Sequence, residues 1–141
     1  MFSIYDYDLF PFVIVIFNGT IKHQFEFDLF INTWEKLYLD KKEFRFIFDT
    51  SNLSFVNPLY CFQMSSFIRK LKSFPYQYLK ESFIIINNKF TEKLLNIIFF
   101  IQSPVAPVYL ISNSLLDLKE LIINRKKIII ENLNIINIFN P

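Results

Sequence analysis

Apolar and polar positions change their period along this chain, and each change marks an element. Residues 10–17, FPFVIVIF, form an apolar run rich in β-branched and aromatic side chains. Asn18-Gly19 follows, a dipeptide suited to the positive φ of a tight hairpin turn. The next stretch, IKHQFEFDLF, sets Phe25, Phe27 and Leu29 against Gln24, Glu26 and Asp28 in strict alternation, the period of a strand with one covered face. The pattern predicts an opening β-hairpin. Phe30, Trp34, Leu37 and Tyr38 then recur at intervals of three and four, predicting a short helix capped by Asn32 or Thr33 and ended by the charged turn DKKE.

Further along, FRFIFD reads as a strand that halts on Asp49-Thr50-Ser51. Tyr60, Met64, Phe67, Ile68 and Leu71 then make the apolar stripe of a helix facing a sheet. After the break at Pro75, SFIIINN is a continuous apolar run, as in a strand buried on both faces. The spacing predicts a helix over 89–102 with Phe90, Leu94, Ile97, Ile98 and Ile101 on one face, while Leu95, Phe99 and Phe100 make its other side apolar too. VYLIS supplies a short strand, and Ser114 with Asp117 starts a further helix in the manner of a capping box. The resulting order is β-β-α-β-α-β-α-β-α, an α/β fold with one mixed sheet of about five strands flanked by about four helices. Residues 1–141 form one domain, with 127–141 an extension whose pattern fits either an extra edge strand or a final helix.

Composition alters this picture in few respects. The chain has 19 Phe and 7 Tyr but 1 Gly and a single Ala, so its core is aromatic and Ile-rich. Such usage is what the codons of an AT-rich genome impose, as in a large DNA virus or a parasitic protist. With 15 basic and 13 acidic residues, the net charge of +2 is too balanced to draw the chain to nucleic acid. Lys41-Lys42 and Arg125-Lys126-Lys127 read as solvated faces. The start, MFSIYDYDLF, lacks the basic region of a signal peptide, and no apolar run approaches the ~20 residues of a membrane span. A lone Cys61 fits a reducing compartment, so the expected location is the cytoplasm, the host's if the source is viral.

Candidate chemistry is sparse. One glycine cannot build a phosphate-cradling loop, and one His with one Cys cannot build a zinc site, so no cofactor or metal is expected. His23 reads as a surface residue and Cys61 as buried filler. Asp6 with Asp8, and Glu26 with Asp28, are two apart and would share a face on a strand. Asp49 closes a buried strand at its carboxyl end, where open α/β sheets bind ligands, although Asp49-Thr50-Ser51 also suits a plain strand-to-helix turn.

The element order, the stretch FDTSNLSFVNP and the later VYLISNSLLDLKEL together resemble the STAS family (sulfate transporter and anti-sigma-factor antagonist) over residues 10–123. Members carry a D-x-S-x-x-x-x-x-D-S-S-G-like turn after a buried strand. Asp49 and Ser51 match its opening, Phe55 its apolar position, and Asn57 stands at the second Asp. Where bacterial relatives have the phosphorylated serine, this chain reads Pro58-Leu59-Tyr60, so the family switch is missing and Ser51 and Ser54 are the nearby hydroxyls. The resemblance implies a non-enzymatic, regulatory interaction module that binds a protein partner or its own copy through Asp49, Thr50, Ser51, Ser54, Asn57 and Tyr60. Leu95, Phe99 and Phe100 are the candidate second interface. YQYLKESFIIINNKFTEKLLNIIFF is also similar to the CRAL-TRIO lipid-carrier fold, which implies a small-molecule or lipid binder as the alternative.

Overall fold

The computed structural model describes residues 1–125, 128 and 130–141, with the backbone only at Arg125. Strands β1 (Ser3–Asp6), β2 (Phe12–Gly19), β3 (Phe44–Leu53), β4 (Leu79–Ile85), β5 (Val108–Ile111) and β6 (Ile135–Phe139) form one sheet in the order β1-β2-β3-β4-β5-β6. The helices are α1 (Gln24–Lys36), α2 (Leu59–Lys72), α3 (Lys89–Ile101) and α4 (Leu115–Arg125). β2 to β5 run parallel, while β1 and β6 close the two edges antiparallel. Among the described residues the architecture is therefore the expected α/β class with a mixed sheet and four helices, but with six strands.

Each central strand divides its side chains between two cores, because successive residues of a strand point to opposite faces. Val13, Val15 and Phe17 join Phe44, Phe46 and Phe48 beneath Phe27, Phe30 and Trp34 of α1 and Phe67 and Leu71 of α2. Ile14, Ile47, Phe83, Ile85 and Ile111 instead meet Leu118 and Ile122 of α4. Three successive crossovers step one strand along in the same direction, and crossovers of one hand place their helices on one face. α1, α2 and α3 accordingly share a layer, and α4 has the other face.

The opening hairpin lies one strand earlier than the alternation implies. β2 pairs with β1, not with residues after Asn18-Gly19, and the turn between them bonds the Phe10 amide to the Tyr7 carbonyl at 3.0 Å, with a cis Phe10-Pro11 bond. Gly19 does adopt a positive φ of 68°, but at the exit of β2 toward α1. Residues 24–29 are helix, not strand. Phe27, Phe30 and Trp34 lie on the buried face at i, i+3 and i+7, while Phe25 and Leu29, which the alternation would cover, face solvent. Six alternating residues fit both periods over so short a window, and the Glu26 carboxylate, accepting from the Lys22 and His23 amides at 3.0 and 3.1 Å, favours a helix start. Neither Asn32 nor Thr33 is the cap, since both fall within α1; Thr33 Oγ1 donates back to the Leu29 carbonyl. Leu37 and Tyr38 follow in a 3-10 turn, both buried.

β3 is longer than FRFIFD. It continues through Asp49-Thr50-Ser51 to Leu53, pairing Asn52 with Asn18 and Leu53 with Gly19 beside an irregularity in β2. The last strand, β6, adds to β5 with Tyr109 opposite Ile138 and Val108 opposite Phe139. Residues 135–139 of the extension are thus an edge strand, and Lys126, Lys127 and the Arg125 side chain of the basic cluster lie outside the described residues.

Candidate functional site

The carboxyl ends of β2 to β5 and the starts of all four helices converge at one end of the sheet, as parallel crossovers require. The segment between β3 and α2 stands at the centre of that end. It is tied down on two sides: the Ser54 amide donates to the Gly19 carbonyl at 2.7 Å, and Thr20 Oγ1 donates to the Phe55 carbonyl. Asn57 Oδ1 accepts from the Leu59 amide at 3.0 Å, a local side-chain bond just before α2, whose N-cap is Pro58. Gln63 on α2 and Gln24 on α1 exchange hydrogen bonds of 2.6 and 3.1 Å across the helix pair.

The six predicted loop residues do not act as one surface. Ser51 donates from its amide and its hydroxyl to Asp49 Oδ1, at 3.0 and 2.6 Å, and Asn87 Nδ2 reaches the Ser51 carbonyl at 3.3 Å. Asp49 and Ser51 are therefore bonded to each other within the end of β3, which stays extended there. Thr50 is buried on the opposite face, its hydroxyl donating to the Ile85 carbonyl at 2.6 Å. Tyr60 is half-buried and packs its ring 5.2 Å from Phe27. Ser54 and Asn57 are exposed.

Large apolar side chains occupy the surface around them. Phe55, Leu59 and Phe62 are 63 %, 65 % and 58 % exposed, and the Phe55 ring lies 5.7 Å from that of Phe90 at the start of α3. Leu59 and Phe62 stand three residues apart, on one side of α2. Only Phe55 of these was visible to sequence reasoning, through the family pattern. Phe62 falls off the apolar stripe of α2, and that misfit was its one signal.

Leu95, Phe99 and Phe100 are separated by the fold. Leu95 and Phe99 are partly buried against the core, the Phe99 ring tilted against that of Phe139 of β6 at 4.8 Å, whereas Phe100 is 91 % exposed. The buried stripe of α3 is Thr91, Leu94 and Ile98, rotated from the expected face, with Phe90 and Ile97 left outside. A polar residue in the stripe hid this phase. Asn88 caps the helix by accepting from the Thr91 amide at 2.8 Å.

Beneath this end, between the sheet and α1, α2 and α3, lies an apolar cavity of about 140 Å³. Phe48, Ile84 and Val108 floor it, and helix residues such as Trp34, Met64 and Leu94 roof it. Thr50, Cys61 and Thr91 are among its few polar neighbours. Burial pushes the Cys61 thiol up from its ordinary range, which leaves less thiolate and makes it a poor nucleophile. Among the described residues, no three His, Cys, Asp or Glu side chains come together as a metal site, and no helix is long and apolar enough to cross a membrane. Glu26 and Asp28 lie on a helix, so the strand geometry that would pair them does not apply; Asp28 accepts from Gln24 at 3.0 Å instead. His23 is exposed and stacks on Phe25. Comparison with family models, with curated proteins and with solved structures finds no match to this chain.

Proposed function

We propose that this protein is a non-enzymatic, regulatory interaction module of STAS-like type that binds a second copy of itself through the β3–α2 segment. The observation that carries this reading is the exposed apolar surface of Phe55, Leu59, Phe62 and Phe90 on a hydrogen-bonded scaffold at the carboxyl end of the sheet. Exposed apolar side chains gathered in this way mark interaction sites more often than solvated surface. The polar residues woven into it, Gln24, Gln63, Ser54 and Asn57, are uncharged. A two-fold interface sets a patch against itself, where like charges would repel, so neutrality suits self-association. The element order β-β-α-β-α-β-α-β-α, followed here by β6, supports the STAS likeness. At the family's serine position only Tyr60 offers a hydroxyl, so control passes through association and not through a phosphoserine. A single buried thiol is in keeping with the cytoplasm.

The lipid-carrier alternative has less support. Its cavity, about 140 Å³, is below the ~300 Å³ at which pockets for drug-sized ligands begin. Light scattering across a concentration series tests the main reading. The wild type should move from monomer to dimer, and Phe55→Glu with Phe62→Glu should stay monomeric with an unchanged circular dichroism spectrum and melting temperature. A wild type that remains monomeric at millimolar concentration, or a double variant that still dimerises, overturns it.

A further inference from the structure

We infer that the cavity between the sheet and α1, α2 and α3 is a binding site for a neutral, single-ring aromatic molecule bearing a hydrogen-bonding oxygen. The inference is independent of self-association at the β3–α2 surface. Its size is the first ground: an apolar space of about 140 Å³ is close to the ~150 Å³ of an engineered apolar cavity that accepts benzene. The walls are the second. Phe17, Phe30, Phe48, Leu94 and Ile98 offer ring faces and aliphatic edges, and among the described residues none that lines the space is charged. An ionised ligand would there lose its hydration with no counter-charge.

The third ground supplies the specificity. Among the described residues, two buried side-chain polar atoms have no hydrogen-bond partner, Trp34 Nε1 and Thr91 Oγ1, and both residues line this one cavity. Trp34 is 6 % exposed and Thr91 1 %. Buried polar groups are paired in the great majority of cases, so two orphans at one void point to a group that the void receives. The other threonine that lines the cavity is already occupied: Thr50 Oγ1 donates to the Ile85 carbonyl at 2.6 Å. Indole N–H only donates, so the ligand must present an acceptor to Trp34; the threonine hydroxyl can donate or accept. A phenolic or carbonyl oxygen on one ring meets both demands. A lone water would find these two partners among apolar walls, the low end of the two to four that buried waters keep.

The test uses phenol, toluene and benzoate as probes of the folded chain. Trp34 is the only tryptophan, so its indole N–H gives one resonance that reports directly on the proposed bond. Phenol should bind saturably, move that resonance downfield and raise the melting temperature, with an affinity within about threefold of toluene's. In a purely apolar void the phenol hydroxyl would be stranded and binding would fall roughly five- to hundredfold below toluene. Benzoate should not bind. Trp34→Phe should weaken phenol roughly tenfold relative to toluene, and Thr91→Val should do so on its own if the indole variant fails to fold. Toluene binding without phenol, phenol binding that leaves the indole resonance in place, or no saturable binding of either probe each overturns the proposal.

Discussion

Ile85 pairs with Asp49 on one side and Ile111 on the other, is 3 % exposed, and packs into the core beneath α4. Its neighbours among the described residues of that cluster are apolar, so a carboxylate placed there gains no counter-charge from them. Ile85→Asp should therefore lose about 3–5 kcal/mol or fail to fold, whereas Ile85→Val should lose only about 0.5–1.5 kcal/mol. Urea unfolding followed by circular dichroism measures both, and a cooperative Asp variant of native stability would show that β4 is not a doubly covered strand. At this scale the sequence was legible where a side chain acts on its own neighbours. Ser114 accepts from the Asp117 amide at 3.1 Å, as the capping pattern implies. Thr91 was not legible, because nothing near it in the chain says that its helix turns a threonine toward the sheet.

Helix α3 shows the same contrast at the scale of an element. Its composition is apolar on every side, so periodicity alone leaves the phase open, and the buried face was settled by what packs against it: α2 beside it and β6 beyond. Phe99 and Phe100 are adjacent in sequence, yet Phe99 is partly buried against the core and Phe100 is exposed. Phe100→Glu should change stability by less than about 0.5 kcal/mol, as exposed substitutions do. Phe99→Glu removes the contact with Phe139 and places a charge against the core, and should cost about 2 kcal/mol or more. Thermal unfolding of the two single variants separates them, and equal effects would mean that β6 does not cover this helix. The helix α1 is the complementary case. Its first turn alternates like a strand, and its helical state depends on Phe27 and Phe30 finding the sheet below them.

Over the whole molecule, buried tyrosines join separate parts of the fold and make its stability depend on alkaline pH. Tyr5 Oη donates to the Phe30 carbonyl at 2.7 Å, linking β1 to α1, and burial holds its pKa well above the ordinary value. Tyr38 Oη donates to Gln77 at 3.0 Å, and burial, partly offset by a bond from the Leu79 backbone, pushes its pKa up to about 12. Both groups are raised in the folded state, so the fold favours their neutral forms. The contribution of each is complete below the unfolded value of about 10 and is lost as pH rises through its folded value, which for Tyr38 is about 12. Melting temperature should thus fall across that window, and Tyr38→Phe should make the fall shallower. A variant with the wild-type slope would remove Tyr38 from the effect.

The chain by itself determined that buried strands would alternate with amphipathic helices around a mixed sheet. That information is local: FVIVIF, FRFIFD and SFIII state their burial in consecutive residues, and α2 carries its stripe within its own turns. The tertiary structure alone decided which strand pairs with β2, whether residues 24–29 extend or coil, and that residues 135–139 close the sheet. Each depends on a partner far along the chain, such as the free edge of β5 that β6 completes. The candidate sites divide the same way. Ser51 reads as part of a turn but lies within β3, and the exposure of Phe62, the partial burial of Phe99 and the placing of Trp34 and Thr91 around one cavity arise only when α1, α2 and α3 pack on a common face. Periodicity records which way a side chain points relative to its neighbours; what it points at is a property of the assembled layers.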